Sequence, residues 1–205
     1  MSARLLLVTE VPVQSEEIDK TGAAWAAHNA ASGHSGSVLY RSLDDAGLLV
    51  ELTPISGLGE IAEREAAHRE LYATIAPALA GDFRRQVVEF VEAPKDTDEP
   101  LPATPYIQLR HVEVKPPAYD AYREWRDRTI FDVVRTHDEV EVFLAYHSLL
   151  STEPGVLFVS GFSVEPDVYQ AVFTSPRYQD IVKQAGDTYI TDRGLYTRIY
   201  ARVEN

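Results

Sequence analysis

The sequence predicts an α+β protein made of two tandem β-α-β-β-α-β units whose antiparallel sheets cover each other within one chain. Three observations lead there. A proline-rich stretch, Ala93 to Pro105, splits the 205 residues near their middle. Each half shows the same succession of short apolar runs and longer helical patterns. Local matches also recur in the same order in both halves. Tyr40-Arg41-Ser42-Leu43 matches Tyr146-His147-Ser148-Leu149, Gly47-Leu48-Leu49 matches Gly155-Val156-Leu157, and Val91-Glu92 matches Val203-Glu204, at spacings of 106 to 112 residues.

In the first half, residues 4–11 are apolar and β-rich, a strand. Ser15-Glu16-Glu17 places acids at a helix start, and residues 16–31 are rich in alanine. Gly33-His34-Ser35-Gly36 breaks that helix. Residues 37–43 and 48–55 are strands around the turn Asp44-Asp45-Ala46-Gly47. Gly57 and Gly59 open a helix over about 60–80 that carries Leu71 and Ile75 on one stripe, and Gly81 stops it. Residues 84–92 form the fourth strand. In the second half, strands are expected at 106–114, 141–150, 156–164 and 195–203, the middle pair around Ser151-Thr152-Glu153-Pro154-Gly155. Helices are expected from Ala118 to about Val134 and over 167–185, the latter interrupted at Ser175-Pro176. The units are therefore 1–92 and 106–205, joined by an extended, exposed linker at 93–105.

A β-α-β-β-α-β unit makes a four-stranded antiparallel sheet with both helices on one face. In the first hairpin Leu39, Leu43, Leu48 and Leu52 are expected on one side and Val38, Tyr40 and Leu49 on the other. A sheet that is apolar on both faces needs cover on both. Two such sheets in one chain supply it for each other.

Composition narrows the function. Nineteen Lys+Arg against 32 Asp+Glu give a formal charge of −13, a field that repels phosphate backbones and disfavours an anionic membrane surface. Neither nucleic acid nor membrane is expected as a partner. There is no cysteine, so disulfides, zinc thiolates, iron–sulfur clusters and thiol catalysis are excluded. The Leu5-Leu6-Leu7-Val8 run is too short for a signal-peptide core, and no apolar run approaches the roughly 18–20 residues of a membrane span. A cytoplasmic location is expected.

The tandem units, with the Ser175-Pro176-Arg177-Tyr178 break in the second helix of the second unit, resemble the dimeric α+β barrel superfamily of ferredoxin-like repeats. Within it they are most similar to antibiotic-biosynthesis-monooxygenase-like domains. The resemblance implies that the two sheets close into one intramolecular barrel, with a pocket between each sheet and its helices. It also implies a choice among cofactor-free oxygenases of aromatic polyketides, isomerases, cyclases and haem-binding dismutases. Fold alone does not select among them.

Histidine is the side chain that titrates near neutrality, and this chain has six. Glu65-Ala66-Ala67-His68 has the Glu-x-x-His spacing of a di-iron half-site, but no second copy exists and no metal is expected. Gly57-x-Gly59 lacks the third glycine of a dinucleotide loop, and neither a nucleophile elbow nor a phosphate loop occurs. No cofactor is expected. On the second repeat, His147 lies mid-strand on a face with Ala145, Phe158, Ser160 and Phe162, and His111 and His137 are the further imidazoles of that half. These three are the candidate bases, with Trp125, Tyr122, Phe158, Phe162 and Tyr146 as the substrate wall. In the first repeat Arg41 takes the slot of His147, but Trp25, His28, His68 and Tyr72 on its helices form a second candidate pocket.

With the resemblance, the expected activity is a cofactor-independent monooxygenase or cyclase acting on an aromatic, polyketide- or indole-like intermediate of natural-product biosynthesis. A histidine would act as general base and the aromatics would orient a planar substrate. The alternatives are a haem-binding tandem barrel and a non-catalytic small-molecule binder. The catalytic pocket is expected in the second repeat, and the molecule is expected to be a monomeric barrel or a homodimer of barrels.

Overall fold

The computed structural model describes residues 1–33, 36–153, 155–191 and 196–203. His34 and Ser35 of the first break, Pro154 of the second hairpin turn, Leu195 and Glu204 fall outside them. In chain order the elements are β1 (Leu5–Pro12), α1 (Ile18–Ala31), β2 (Val38–Ser42), β3 (Leu48–Ile55), α2 (Gly59–Glu63), α3 (Glu65–Ile75), β4 (Arg84–Lys95), β5 (Tyr106–Val112), α4 (Tyr119–Arg128), α5 (Ile130–Arg135), β6 (Val142–Leu150), β7 (Val156–Phe162), α6 (Pro166–Thr174), α7 (Pro176–Thr188) and β8 (Tyr196–Arg202). The eight strands close into one barrel in the order β1-β3-β2-β8-β5-β7-β6-β4, antiparallel throughout, with β4 pairing back onto β1. Each half contributes four neighbouring strands. The halves meet at two seams, β2 with β8 and β4 with β6, the latter bulged at three places. Closure removes the free edges that two separate sheets would expose.

Strand parity sorts side chains into two environments. Leu6, Val8, Val50, Leu52, Leu109, Leu144, Leu157 and Val159 point into the barrel and pack with Tyr40, Tyr146 and Tyr200. The intervening residues face outward, under the helices. The first hairpin corrects the expected faces. Val38 pairs with Leu52 and Leu39 with Glu51, so Leu48 and Leu52 share the inner face with Val38 and Tyr40, whereas Leu39 and Leu49 face the helices. The turn sets the pairing one residue away from the expected register, and a slip of one exchanges faces. Leu43 lies beyond the strand and is exposed.

The other departures are local. β4 runs to Lys95, three residues into the predicted linker. Residues 96–105 then cross one mouth of the barrel instead of lying free. Leu101 is buried among the interior residues, Thr104 is also buried, and the Ala3 N–H donates to the Pro100 carbonyl at 2.9 Å. The helix expected at 60–80 is broken at Arg64, and that expected at 118–134 is broken at Thr129, whose φ/ψ of −124°/−79° is not helical. At Ser175-Pro176 the break falls as expected. Ser175 caps α7, its Oγ accepting the Tyr178 N–H, and Pro176 sits in the first turn, where its missing N–H costs no bond.

Candidate functional site

The outer faces of the two half-barrels differ in how completely their helices cover them. On the second repeat, α4–α7 close over the sheet. Tyr122, Trp125, Phe131, Phe143, Phe158, Phe162, Tyr169 and Tyr178 form one buried cluster, and Phe162 stacks on Tyr169 at 3.8 Å. Arg126, 1% exposed, lies inside it. Its guanidinium stands 5.1–5.5 Å from the rings of Tyr122, Phe131 and Phe158, and its Nε donates to Glu92 Oε1 at 3.0 Å. Burial alone would raise the Glu92 carboxyl, but hydrogen bonds from Arg126 and Arg123 outweigh it and hold the group below the usual carboxylate range. The cavity left between this sheet and its helices is about 20 Å³, room for little more than one water.

The side chains expected as a substrate wall therefore serve as packing: Tyr122, Trp125, Phe158 and Phe162 in this layer, and Tyr146 in the barrel interior. The three candidate bases do not converge. His147 lies at the exposed end of β6, edge-on to Tyr119 at 4.8 Å. His137 ends the turn after α5, its Nδ1 on the Val133 carbonyl at 2.8 Å. His111 points into the barrel, on the opposite face of the sheet from His147.

On the first repeat the cover is partial. Leu71 and Ile75 of α3 pack with Trp25, Leu39 and Leu49. α2 is only five residues long. Its start is set by Glu60, whose carboxylate accepts the Ser56 N–H at 2.8 Å and Ser56 Oγ at 3.0 Å. α2 and the first turns of α3 border an open groove of about 930 Å³, lined by Ile61, His68, Tyr72, Phe83, Arg85 and Leu150 among others. Phe83 is its hub. It meets Trp25 edge-to-face at 5.6 Å and Tyr72 at 6.1 Å, and the Arg85 guanidinium lies over its face at 4.6 Å.

Three of the four second-pocket candidates, Trp25, His68 and Tyr72, thus join one aromatic site. His28 is half-buried on α1, its carbonyl receiving the Ser32 N–H. Beneath the aromatics, Glu51 is 6% exposed and fully engaged. It accepts Trp25 Nε1–H at 2.8 Å, Thr53 Oγ1–H at 3.0 Å and the Asn29 amide. Burial lowers the pKa of Arg85, while Asp82 and Glu51 pull the other way. Arg85 is a cation facing an apolar groove, placed to meet negative charge as it develops on a ligand.

Sequence reading missed Phe83, Arg85 and Glu51. Glu51 had a visible signal: a lone acid in the apolar run Leu48-Leu49-Val50-Glu51-Leu52, on a strand bounded by sheet on both sides. Among the described residues no group of three or more His, Asp or Glu is arranged to hold a metal ion, and no helix is long and apolar enough to cross a membrane.

No known family model matches the sequence, and no curated protein matches it. The backbone is similar to that of an anthrone oxidase-like protein, with a TM-score of 0.74 at 10% identity over 98% of this chain and 91% of that one. It is also similar to a candidate monooxygenase from Fusobacterium nucleatum subsp. nucleatum (TM-score 0.71, 14% identity, 99% and 94%). A third is a ferredoxin-fold protein of Listeria monocytogenes related to antibiotic biosynthesis monooxygenases (0.54, 8%, 98% and 96%). At these identities what is shared is the fold. The chain has the α+β barrel of antibiotic-biosynthesis-monooxygenase-like proteins, closed within a single chain.

Proposed function

We propose that the groove of the first repeat binds a planar, electron-rich aromatic compound and oxidises it without a cofactor. The observation that carries this reading is the asymmetry of the two helix–sheet layers. One is filled by its own aromatics, and the other leaves about 930 Å³ bordered by Phe83, Tyr72, Arg85 and His68. A fused-ring substrate lies against Phe83 and Tyr72. His68 takes a proton from an acidic ring methylene or phenol, and Arg85 stabilises the resulting enolate. The carbanion delivers an electron pair to molecular oxygen, forming a C–O bond. The hydroperoxide, protonated by the imidazolium, then loses water, so that a methylene and one O₂ become a carbonyl and one water. The anthrone oxidase-like neighbour supports this chemistry by analogy.

The test uses 1,8-dihydroxyanthrone and follows oxygen uptake and anthraquinone formation. The wild type should consume one O₂ per turnover, and His68→Ala should lower kcat about 10²-fold or more. Binding without oxygen uptake would leave a non-catalytic binder. Turnover unchanged in His68→Ala would remove this histidine as the base.

A further inference from the structure

The barrel has two mouths of unequal construction. Residues 96–105 cross one, with Leu101 seated among the interior side chains. At the other, four inward rows turn from apolar to polar. Glu10 follows Leu6 and Val8, His111 follows Ile107 and Leu109, Gln86 precedes Val88, and Tyr196 and Arg198 precede Tyr200. Five of these residues or their neighbours, Glu10, Arg84, Gln86, His111 and Tyr196, border a cavity of about 340 Å³, closed on one side by Glu153.

Two polar groups there have no protein partner. His111 is 2% and Gln86 6% exposed, and they share one contact, Nε2 to Nε2 at 2.7 Å. As placed, Gln86 donates to an unprotonated Nε2, so the imidazole carries its proton on Nδ1. That N–H and the Gln86 Oε1 are both buried and unmatched. Turning the amide over reverses the roles and still leaves Nδ1 unmatched. Burial and the nearby Arg198 push the His111 pKa down to about 4, so the ring is neutral at pH 7. It is a directional hydrogen-bonding group, not a charge.

Arg84 and Arg85 balance Glu10 and Glu153 around the cavity, but the two carboxylates are held by other donors. Arg198 and Tyr200 engage Glu10 at 3.2 and 3.5 Å, and the Tyr196 hydroxyl donates to Glu153 at 3.2 Å. Arg84, the cross-strand neighbour of Glu10, and Arg85 have no carboxylate within 4 Å among the described residues. Arg84 therefore keeps a guanidinium face toward the cavity that a ligand carboxylate can meet.

We infer that this mouth is a second ligand site, built for a single-ring carboxylate. Its carboxylate meets Arg84, its ring lies beside the stacked His111–Tyr196 pair (centroids 4.2 Å apart), and a ring substituent meets His111 Nδ1. The volume admits a substituted single ring. Phe83 and Arg85 border both cavities, so the start of β4 is the wall between them.

Salicylate, which has both the carboxylate and an ortho hydroxyl, is the probe, with salicylamide as its neutral counterpart. Calorimetry on the full chain should show saturable salicylate binding, about tenfold or more tighter than salicylamide. Arg84→Gln should reduce that difference about tenfold. Imidazole ¹⁵N spectra should show the His111 resonances moving with saturation while those of His68 stay in place. Equal affinity for acid and amide, no saturable binding, or movement at His68 without movement at His111 would each overturn the assignment. The acid–amide comparison on wild-type protein requires no variant to fold. Loss of anthrone turnover in His68→Ala bears on the groove alone.

Discussion

The two helix–sheet layers of this barrel are built on one plan and end in opposite states. In the second repeat, eight aromatic residues and a buried arginine fill the space under four short helices. The breaks at Thr129 and Ser175 divide what would be two long helices and let each piece lie against the curved sheet. In the first repeat, α1 is dominated by alanine, α2 is a single short turn, and the layer is closed only where Leu71 and Ile75 meet Trp25. Beyond that contact, α2 and the first turns of α3 stand off the start of β4, and the groove lies there. The lesson runs against the usual association of aromatic residues with binding. Where they are plentiful they consume the cavity, and the pocket forms where they thin out to Tyr72, Phe83 and Trp25.

The widest break of this comparison is to separate the halves. Residues 1–95 alone would expose the β2 and β4 edges and the inner faces of four strands. The fragment should aggregate or homodimerise, as judged by light scattering and sedimentation. A stable folded monomer would mean that each repeat completes its own core.

Next in size is truncation of one ring on each side. Phe158→Ala removes a side chain packed by Phe143 at 5.2 Å and by Arg126. It should cost about 3–5 kcal/mol in urea unfolding, as buried Phe truncations do. Phe83→Ala, at the lip of an existing groove, should cost about 2 kcal/mol or less, because little new cavity forms. Equal costs would erase the distinction between a filled and an open layer.

A smaller effect sharpens the contrast between the helix layers and the barrel mouth. His111 is neutral in the folded protein down to about pH 4, whereas in the unfolded chain it titrates near 6.5. Between those values the unfolded chain binds the extra proton. The stability from a neutral His111 is therefore complete above about pH 6.5 and is lost as pH falls through the window. The expected loss is about 2 kcal/mol between pH 7 and pH 5. Glu10 acts in the opposite sense, since burial raises its pKa in the folded state against the pull of Arg198. The measurement is thus the difference in pH dependence between wild type and His111→Gln. Parallel curves would contradict the assignment of that sensitivity to His111.

Most of the fold was legible in the sequence, because strand alternation, turn residues and the repeated Tyr-x-Ser-Leu order are local signals. That the two sheets cover each other followed from faces apolar on both sides, and that they close into a barrel was what the family resemblance implied. What escaped were features set by distant parts of the chain. The inner and outer faces of β2 and β3 depended on one residue of turn register. The role of residues 96–105 as a cover over a barrel mouth depended on where Leu101 lands. The site was less legible. Trp25, His68 and Tyr72 come together because α1 and α3 lie side by side. Phe83 and Arg85 precede and begin a strand whose first residues serve two cavities, which no local pattern announces.

The central claim is that the aromatic ligand belongs to the open layer of the first repeat. A crystal structure with 1,8-dihydroxyanthraquinone, the product of the proposed oxidation, tests it directly. The rings should lie against Phe83 and Tyr72 with a carbonyl or phenolic oxygen toward Arg85, while Tyr122, Phe143 and Phe158 stay packed. Ligand density between the second sheet and α4–α7, with those aromatics displaced to admit it, would contradict the account.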